Sequence, residues 1–342
     1  MGVIIMKNNN INSTKPKTGI EAYNEEFDSL SRKRIEKNSD KPFLRGFYNF
    51  MISDGDRSYS GAYNYLSHVI NFVNAENITD PMNISLDDYT DYLSKSYRGK
   101  SSSHQIGIYS ALKEFSKYLV ANNICNKNYM EFINRPKTVE TIETIEKREK
   151  KYLTKDEVDQ FINNIINSDK KNIWKQRDLA IAYVFLTTGI RCAALNKLDI
   201  DNINFTDNSI TVLEKRSKHR KIYLPDKTIS ILKEWLKYRN ELGVNKNEIA
   251  VFVSNRKTRM TRKTIYNTTK EYGIDIEEKD VTPHMERSTY ATNLYSYSND
   301  VFFVQECMGH SSPTTTKLYI RGQKDNISKK AANIIEDIIS NN

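Results

Sequence analysis

The sequence predicts a mainly α-helical protein: a helical domain followed by a second, mostly helical α+β domain with a small sheet. Three observations carry that expectation. The 342 residues are enough for two ordinary domains. Apolar residues recur at helical spacing through most of the chain, and one short region, Ser209 to Leu224, alternates instead as strands on either side of a basic turn. With 38% hydrophobic and 28% charged residues, the composition is that of a folded chain and argues against disorder. Apolar runs such as Ala180 to Leu186 stop well short of the ~20 residues a transmembrane helix needs. The polar start does not read as a secretory signal, so a cytoplasmic protein is expected, with no membrane partner. Lys and Arg number 52 against 43 Asp and Glu, and the net charge of +9 favours a polyanionic partner, nucleic acid ahead of membrane. Cys125, Cys192 and Cys307 are odd in number and far apart, which supports neither a disulfide framework nor a zinc site.

Taken in order, residues 1–40 form an N-terminal accessory region. A polar tract, Lys7 to Lys17, runs into a charged helical stretch from Ile20 to Lys37 that reads as a loose or accessory arm. Residues 41–136 form the helical domain. Phe43, Phe47, Phe50 and Met51, then Leu66, Val69, Ile70 and Val73, then Ile108, Leu112, Phe115 and Leu119 each mark one helix face. Arg57, Lys95, Arg98 and Lys100, with tyrosines among them, suit a DNA backbone, although a solvated helix face is an equally ordinary reading of each. Gly99-Lys100-Ser101 lacks both the first glycine and the preceding strand of a phosphate-binding loop, so nucleotide binding is set aside.

The charged run 137–152, with two Thr-Ile-Glu repeats, reads as a linker, and residues 153–325 as the second domain. Thr154 with Glu157 forms a capping box. The apolar helix Arg177 to Thr188 stops at Gly189, which leaves Arg191 at a helix junction. The expected hairpin holds Lys215, Arg216, Lys218 and Arg220 at its tip, with His219 among them. Thr282-Pro283 opens a helix whose first turn carries His284 and Arg287 on one face. Asp300 caps the short helix Val301 to Met308, Gly309 ends it, and His310 follows. Ser312-Pro313 starts another helix bearing Tyr319, and residues 326–342 form an amphipathic tail helix. His68 and His104 read as structural residues.

Arg191, Lys215, His284, Arg287, His310 and Tyr319 together supply two guanidinium groups, an ammonium, two imidazoles and a phenol. That set suits a phosphodiester, whose non-bridging oxygens gain charge at five-coordinate phosphorus and are held by guanidinium forks. A phenol, with an ordinary pKa of ~10, attacks at neutral pH only beside cations and a base.

Thr188-Gly189-Ile190-Arg191, Pro283-His284-Met285-Glu286-Arg287 and Met308-Gly309-His310-Ser311-Ser312, with Thr315-Thr316 ahead of Tyr319, resemble the blocks of the tyrosine recombinase, or phage integrase, family. The resemblance covers residues 41 to 325. It implies a C-shaped clamp of the two domains on double-stranded DNA, with Tyr319 as the nucleophile that forms a 3'-phosphotyrosine. Arg191 and Arg287 resemble the phosphate clamps, and His310 a further transition-state donor. Lys215 resembles the general acid on the leaving 5'-oxygen, and His284 the residue assisting proton transfer at the tyrosine. Lys218 is the rival for the general acid, and Lys218, His219 and Arg220 join the residues expected on DNA. No cofactor, metal or ATP is implied, because the phosphotyrosine stores the bond energy. The implied assembly is a homo-tetramer joined through the tail helix 327–339, working through a Holliday junction with an accessory directionality protein as a further partner.

Ala194, Glu286 and Ser288 depart from the family pattern, in which an acid commonly stands at the first position and Leu and His at the other two. Altered support for the site and a slower enzyme are therefore expected. Integration or excision of a mobile element is the expected task. A type IB topoisomerase and a regulator that kept the scaffold without catalysis are the alternatives.

Overall fold

The computed structural model describes residues 16–53, 57–138, 152–213, 219–276 and 279–310. It is mainly helical and divides into two compact units, residues 20–142 and residues 143–342 together with 1–19.

The first unit holds α1 (Gly19–Glu36), α2 (Phe43–Ser53), α3 (Tyr59–Ala75), α4 (Leu86–Ser96) and α5 (Ser102–Ala121). Its core is aromatic: Phe47, Phe72, Tyr89 and Phe115 are fully buried, and Phe72 stacks on Tyr89 with ring centres 4.9 Å apart. The caps follow residue type. Ser58, Ser85 and Ser101 each accept a first-turn amide, and Ser85 with Asp88 closes a capping box. The charged stretch expected as a helical, loose or accessory arm is a helix, and it is packed and not loose. Tyr23, Phe27, Ser31 and Ile35, four residues apart, form one stripe of α1; Tyr23, Ser31 and Ile35 are buried, and Phe27 meets Tyr63 edge-on. Tyr48 donates to Asp28 at 2.9 Å from the same side. Acidic and basic residues between the members of the stripe conceal it in the composition.

The second unit contains α6 (Lys155–Asn167), α7 (Asn172–Thr188), α8 (Cys192–Asn196), β1 (Ile203–Asn204), β2 (Ser209–Leu213), β3 (His219–Tyr223), α9 (Asp226–Glu241), α10 (Arg262–Tyr272), α11 (Pro283–Ser298) and α12 (Val301–Met308). Thr154 and Glu157 close the expected capping box. Helix α7 lies at the centre, with Ala180, Val184 and Phe185 packed with Trp235 of α9 and with the segment Ala250–Val253. Trp235 is fully buried, and its indole donates to the Val251 carbonyl at 2.9 Å. The strands form an antiparallel sheet in the order β1-β2-β3, with Ile210 opposite Ile222 and Val212 opposite Arg220.

Here the hairpin differs from expectation, since β3 begins at His219. Arg220 therefore stands on the strand and not at the tip. Lys215, Arg216, Lys218, Tyr319, the Ser312-Pro313 start and the tail helix 327–339 lie outside the described residues, as do the Lys7–Lys15 part of the polar tract and the linker from 139 to 151. Among the described residues, no helix is long and apolar enough to cross a membrane.

Candidate active site

Three helix ends bring the candidate residues together. Helix α7 stops because Gly189 adopts the left-handed region at φ 57°, and the turn it makes delivers Arg191 as N-cap of α8. A side chain at Gly189 would meet the Tyr290 ring, with Cβ 2.3 Å from Cδ1. That close approach and the positive φ both require glycine. Thr282 caps α11 by accepting the Met285 amide, with Pro283 in the first turn, so His284 and Arg287 leave the start of the helix as expected. Asp300 caps α12 and Gly309, at φ 61°, ends it. His310 is then pinned by its own main chain: its amide donates to the Gln305 carbonyl at 3.1 Å, and Gln305 Nε2 donates to its carbonyl at 3.1 Å.

Arg287 is the hub of these three ends. It is 3% exposed; Nη1 donates to the Gly189 carbonyl, Nη2 donates to the Met308 carbonyl at 2.8 Å, and Nη2 lies 2.9 Å from His310 Nε2. A guanidinium only donates, so Nε2 accepts and the His310 ring proton sits on Nδ1. Burial, followed by the nearby charges of Arg287, Arg191, Arg220 and His284, pulls His310 down to about 4. The ring is thus a neutral donor at neutral pH. His284 is exposed. Tyr290, held against Gly189 behind the cluster, has its phenol pushed up to about 12 by burial, against the opposing pull of Arg220 and Arg287.

The positions that depart from the family pattern have structural partners here. Glu286 is fully buried. Burial raises its carboxyl well above the usual range, and Thr269 of α10 donates to Oε2 at 3.3 Å. Ser288 donates to the His284 carbonyl at 2.9 Å, and Ala194 is buried on α8. The adjacent Thr289 accepts the Leu153 amide at 2.8 Å, tying the start of the unit to the helix that carries Arg287.

The residues expected on DNA are placed in several ways. In the first unit, Arg57 pairs with Glu114 at 3.1 Å and lies over the Tyr65 ring at 3.9 Å, and Lys95 pairs with Glu76 at 3.6 Å. Arg98 and Lys100 are exposed at the turn between α4 and α5. In the second unit His219 is exposed, whereas Arg220 donates from Nη1 to the Cys307 carbonyl at 2.6 Å. His68 and His104 face each other edge-on at 5.6 Å, and desolvation followed by the charge of His104 lowers His68. The three cysteines are free. Among the described residues no group of three or more His, Cys, Asp or Glu is placed to hold a metal ion. Arg220, expected on DNA, and Tyr290 are the positions that the sequence did not assign to this cluster. Glu286 was marked in the sequence as a departure from the family pattern beside Arg287.

The description "Phage integrase family" matches residues 151–326, just over half of the chain and all of this cluster. The chain belongs to the phage integrase family of tyrosine recombinases. Tyrosine recombinase XerC of Caldanaerobacter subterraneus subsp. tengcongensis is 32% identical over 214 residues, 61% of this chain and 56% of that protein. XerC of Herpetosiphon aurantiacus is 27% identical over 270 residues, 77% of this chain and 84% of that one. In fold, this integrase-family chain is similar to a crystal structure of XerH site-specific recombinase bound to palindromic difH substrate in a post-cleavage complex. That match has a TM-score of 0.64 and 22% identity and covers 82% of this chain and 81% of the other.

Proposed function

We propose that this chain is a site-specific recombinase that cleaves and rejoins double-stranded DNA through a 3'-phosphotyrosine on Tyr319, and that its task is integration and excision of a mobile element. The bond between Arg287 and His310 carries the reading, because it joins two of the three sequence blocks and, through the Gly189 carbonyl, the third. In this reading Arg191 and Arg287 hold the non-bridging oxygens of the scissile phosphate, and neutral His310 donates to the transition state through Nδ1–H. The Tyr319 oxygen attacks phosphorus, its proton leaving with the help of His284. The bond from phosphorus to the 5'-oxygen breaks, and Lys215 protonates that oxygen. Rejoining runs the same step backward from a 5'-hydroxyl. Exchange between two duplexes breaks four strands, so four protomers assemble on the DNA, the tail 327–339 docking on a neighbour and an accessory protein setting direction. Arg57, Lys95, Arg98, Lys100, Lys218 and His219 contact the DNA backbone, and the protein works in the cytoplasm.

The test incubates the full chain with labelled duplexes taken from the DNA flanking its gene, in EDTA and without nucleotide, beside Tyr319→Phe. A covalent band on the 3' side of the break that Tyr319→Phe abolishes, with DNA binding retained, is the expected result. Specific binding without a band would favour the regulator reading, and a band retained by Tyr319→Phe would remove the nucleophile.

A further inference from the structure

Two guanidinium groups close the end of α12. The last carbonyls of a helix have no partner within it, and its C-terminus attracts cations. In α12, Met308 O takes Arg287 Nη2 at 2.8 Å and Cys307 O takes Arg220 Nη1 at 2.6 Å, and the next two residues are Gly309 and His310. Arg287, itself a candidate phosphate clamp, comes from α11. Arg220 comes from β3, where it pairs with Val212, on the strand that follows the segment containing Lys215. One helix end is thereby gripped by side chains from α11 and from β3.

We propose that Arg220 is a positioning residue that fixes the β2–β3 hairpin against the end of α12, so that the hairpin and His310 keep a common register. Its place in the reaction rests on the recombinase reading; its placement against Cys307 does not. A surface role on DNA would leave the guanidinium facing outward, but its Nη1 is turned inward onto a main-chain carbonyl. Its charge acts on His310, Tyr290 and Cys307, three groups around the same corner. The geometry matters because the hairpin and α12 are 87 residues apart in sequence, and this hydrogen bond crosses directly between them. A shift of about 1 Å between groups that act on one phosphate costs up to ~100-fold in rate.

The experiment uses the full chain with Arg220→Ala, Arg220→Gln and Arg220→Lys, each checked for native circular dichroism. The His310 ring is titrated by NMR in the DNA-free protein and assigned through His310→Asn. The charges facing that ring are Arg287, Arg191, Arg220 and His284. Loss of Arg220 is expected to move the His310 titration upward, and Arg220→Lys to restore most of the wild-type position. Arg220→Gln keeps a donor without the charge and separates the field from the bond. On the flanking-DNA duplexes at saturation, Arg220→Ala is expected to lower the rate of covalent adduct formation about 10–100-fold, with DNA affinity changed by less than about three-fold. An unshifted His310 titration in Arg220→Ala overturns the proposal. So does a normal adduct rate at saturation with strongly weakened binding, which would make Arg220 a phosphate contact. A wild-type protein that forms no adduct sinks the recombinase reading alone, since the titration still decides the placement of Arg220.

Discussion

His310 shows how one side chain can be tuned by its neighbours without any change in its own chemistry. It is 7% exposed and surrounded by cations, which brings it down to about 4, whereas an unfolded histidine titrates near ~6.5. The folded-state value is the lower one. Between the two values the unfolded chain binds a proton that the folded site refuses, so stability is full above about 6.5 and is lost as pH falls toward 4. Replacing His310 with Asn removes that proton from the balance. Urea unfolding at a series of pH values should then show a shallower loss of stability between about pH 6.5 and 4, and an unchanged slope would mean that His310 titrates normally in the folded protein.

At the scale of elements, the site is a meeting of helix ends, and the most demanding of them is the stop of α7. Gly189→Ala imposes a left-handed conformation on a residue with Cβ, at a cost of ~1–2 kcal/mol, and drives that Cβ into the Tyr290 ring. The Gly189 carbonyl that receives Arg287 moves with it. We expect Gly189→Ala to destabilise the second unit by more than ~2 kcal/mol and to slow adduct formation. Adding Tyr290→Leu should recover the part due to the clash and leave the part due to φ, a coupling that a double-mutant cycle in denaturant reads directly. Additive effects would mean that the ring yields at no cost.

For the molecule as a whole, each unit has its own core, and α1 belongs to the first. Ile35 lies in a cluster with Phe43, Leu44, Phe47 and Phe115, none of which is shared with the clusters of the second unit. Ile35→Ala should therefore cost the first unit ~2–5 kcal/mol and lower one calorimetric transition, leaving the other in place. A single transition that moves as one would show that the two units unfold together. Helices of the second unit were legible in the sequence because their signals are local: Thr154 with Glu157 as a capping box, Gly189 and Gly309 as stops, and Thr282-Pro283 as a start. The packing of α1 was not, because charges interrupt its stripe of Tyr23, Phe27, Ser31 and Ile35. Nor was the two-residue strand β1, which exists only by pairing with β2.

The sequence by itself determined the helical class, the order of the blocks and the identities of Arg191, His284, Arg287 and His310 as candidates, since cap residues and the residues beside them are set by neighbours a few positions away. The tertiary structure decided what those residues touch. The Arg287 contacts with Gly189 and His310, the ring of Tyr290 over Gly189, the burial of Glu286 against Thr269 and the turn of Arg220 toward Cys307 join positions from 17 to 101 residues apart. No local propensity encodes such contacts, because they form only when whole helices pack and exclude water from the groups between them.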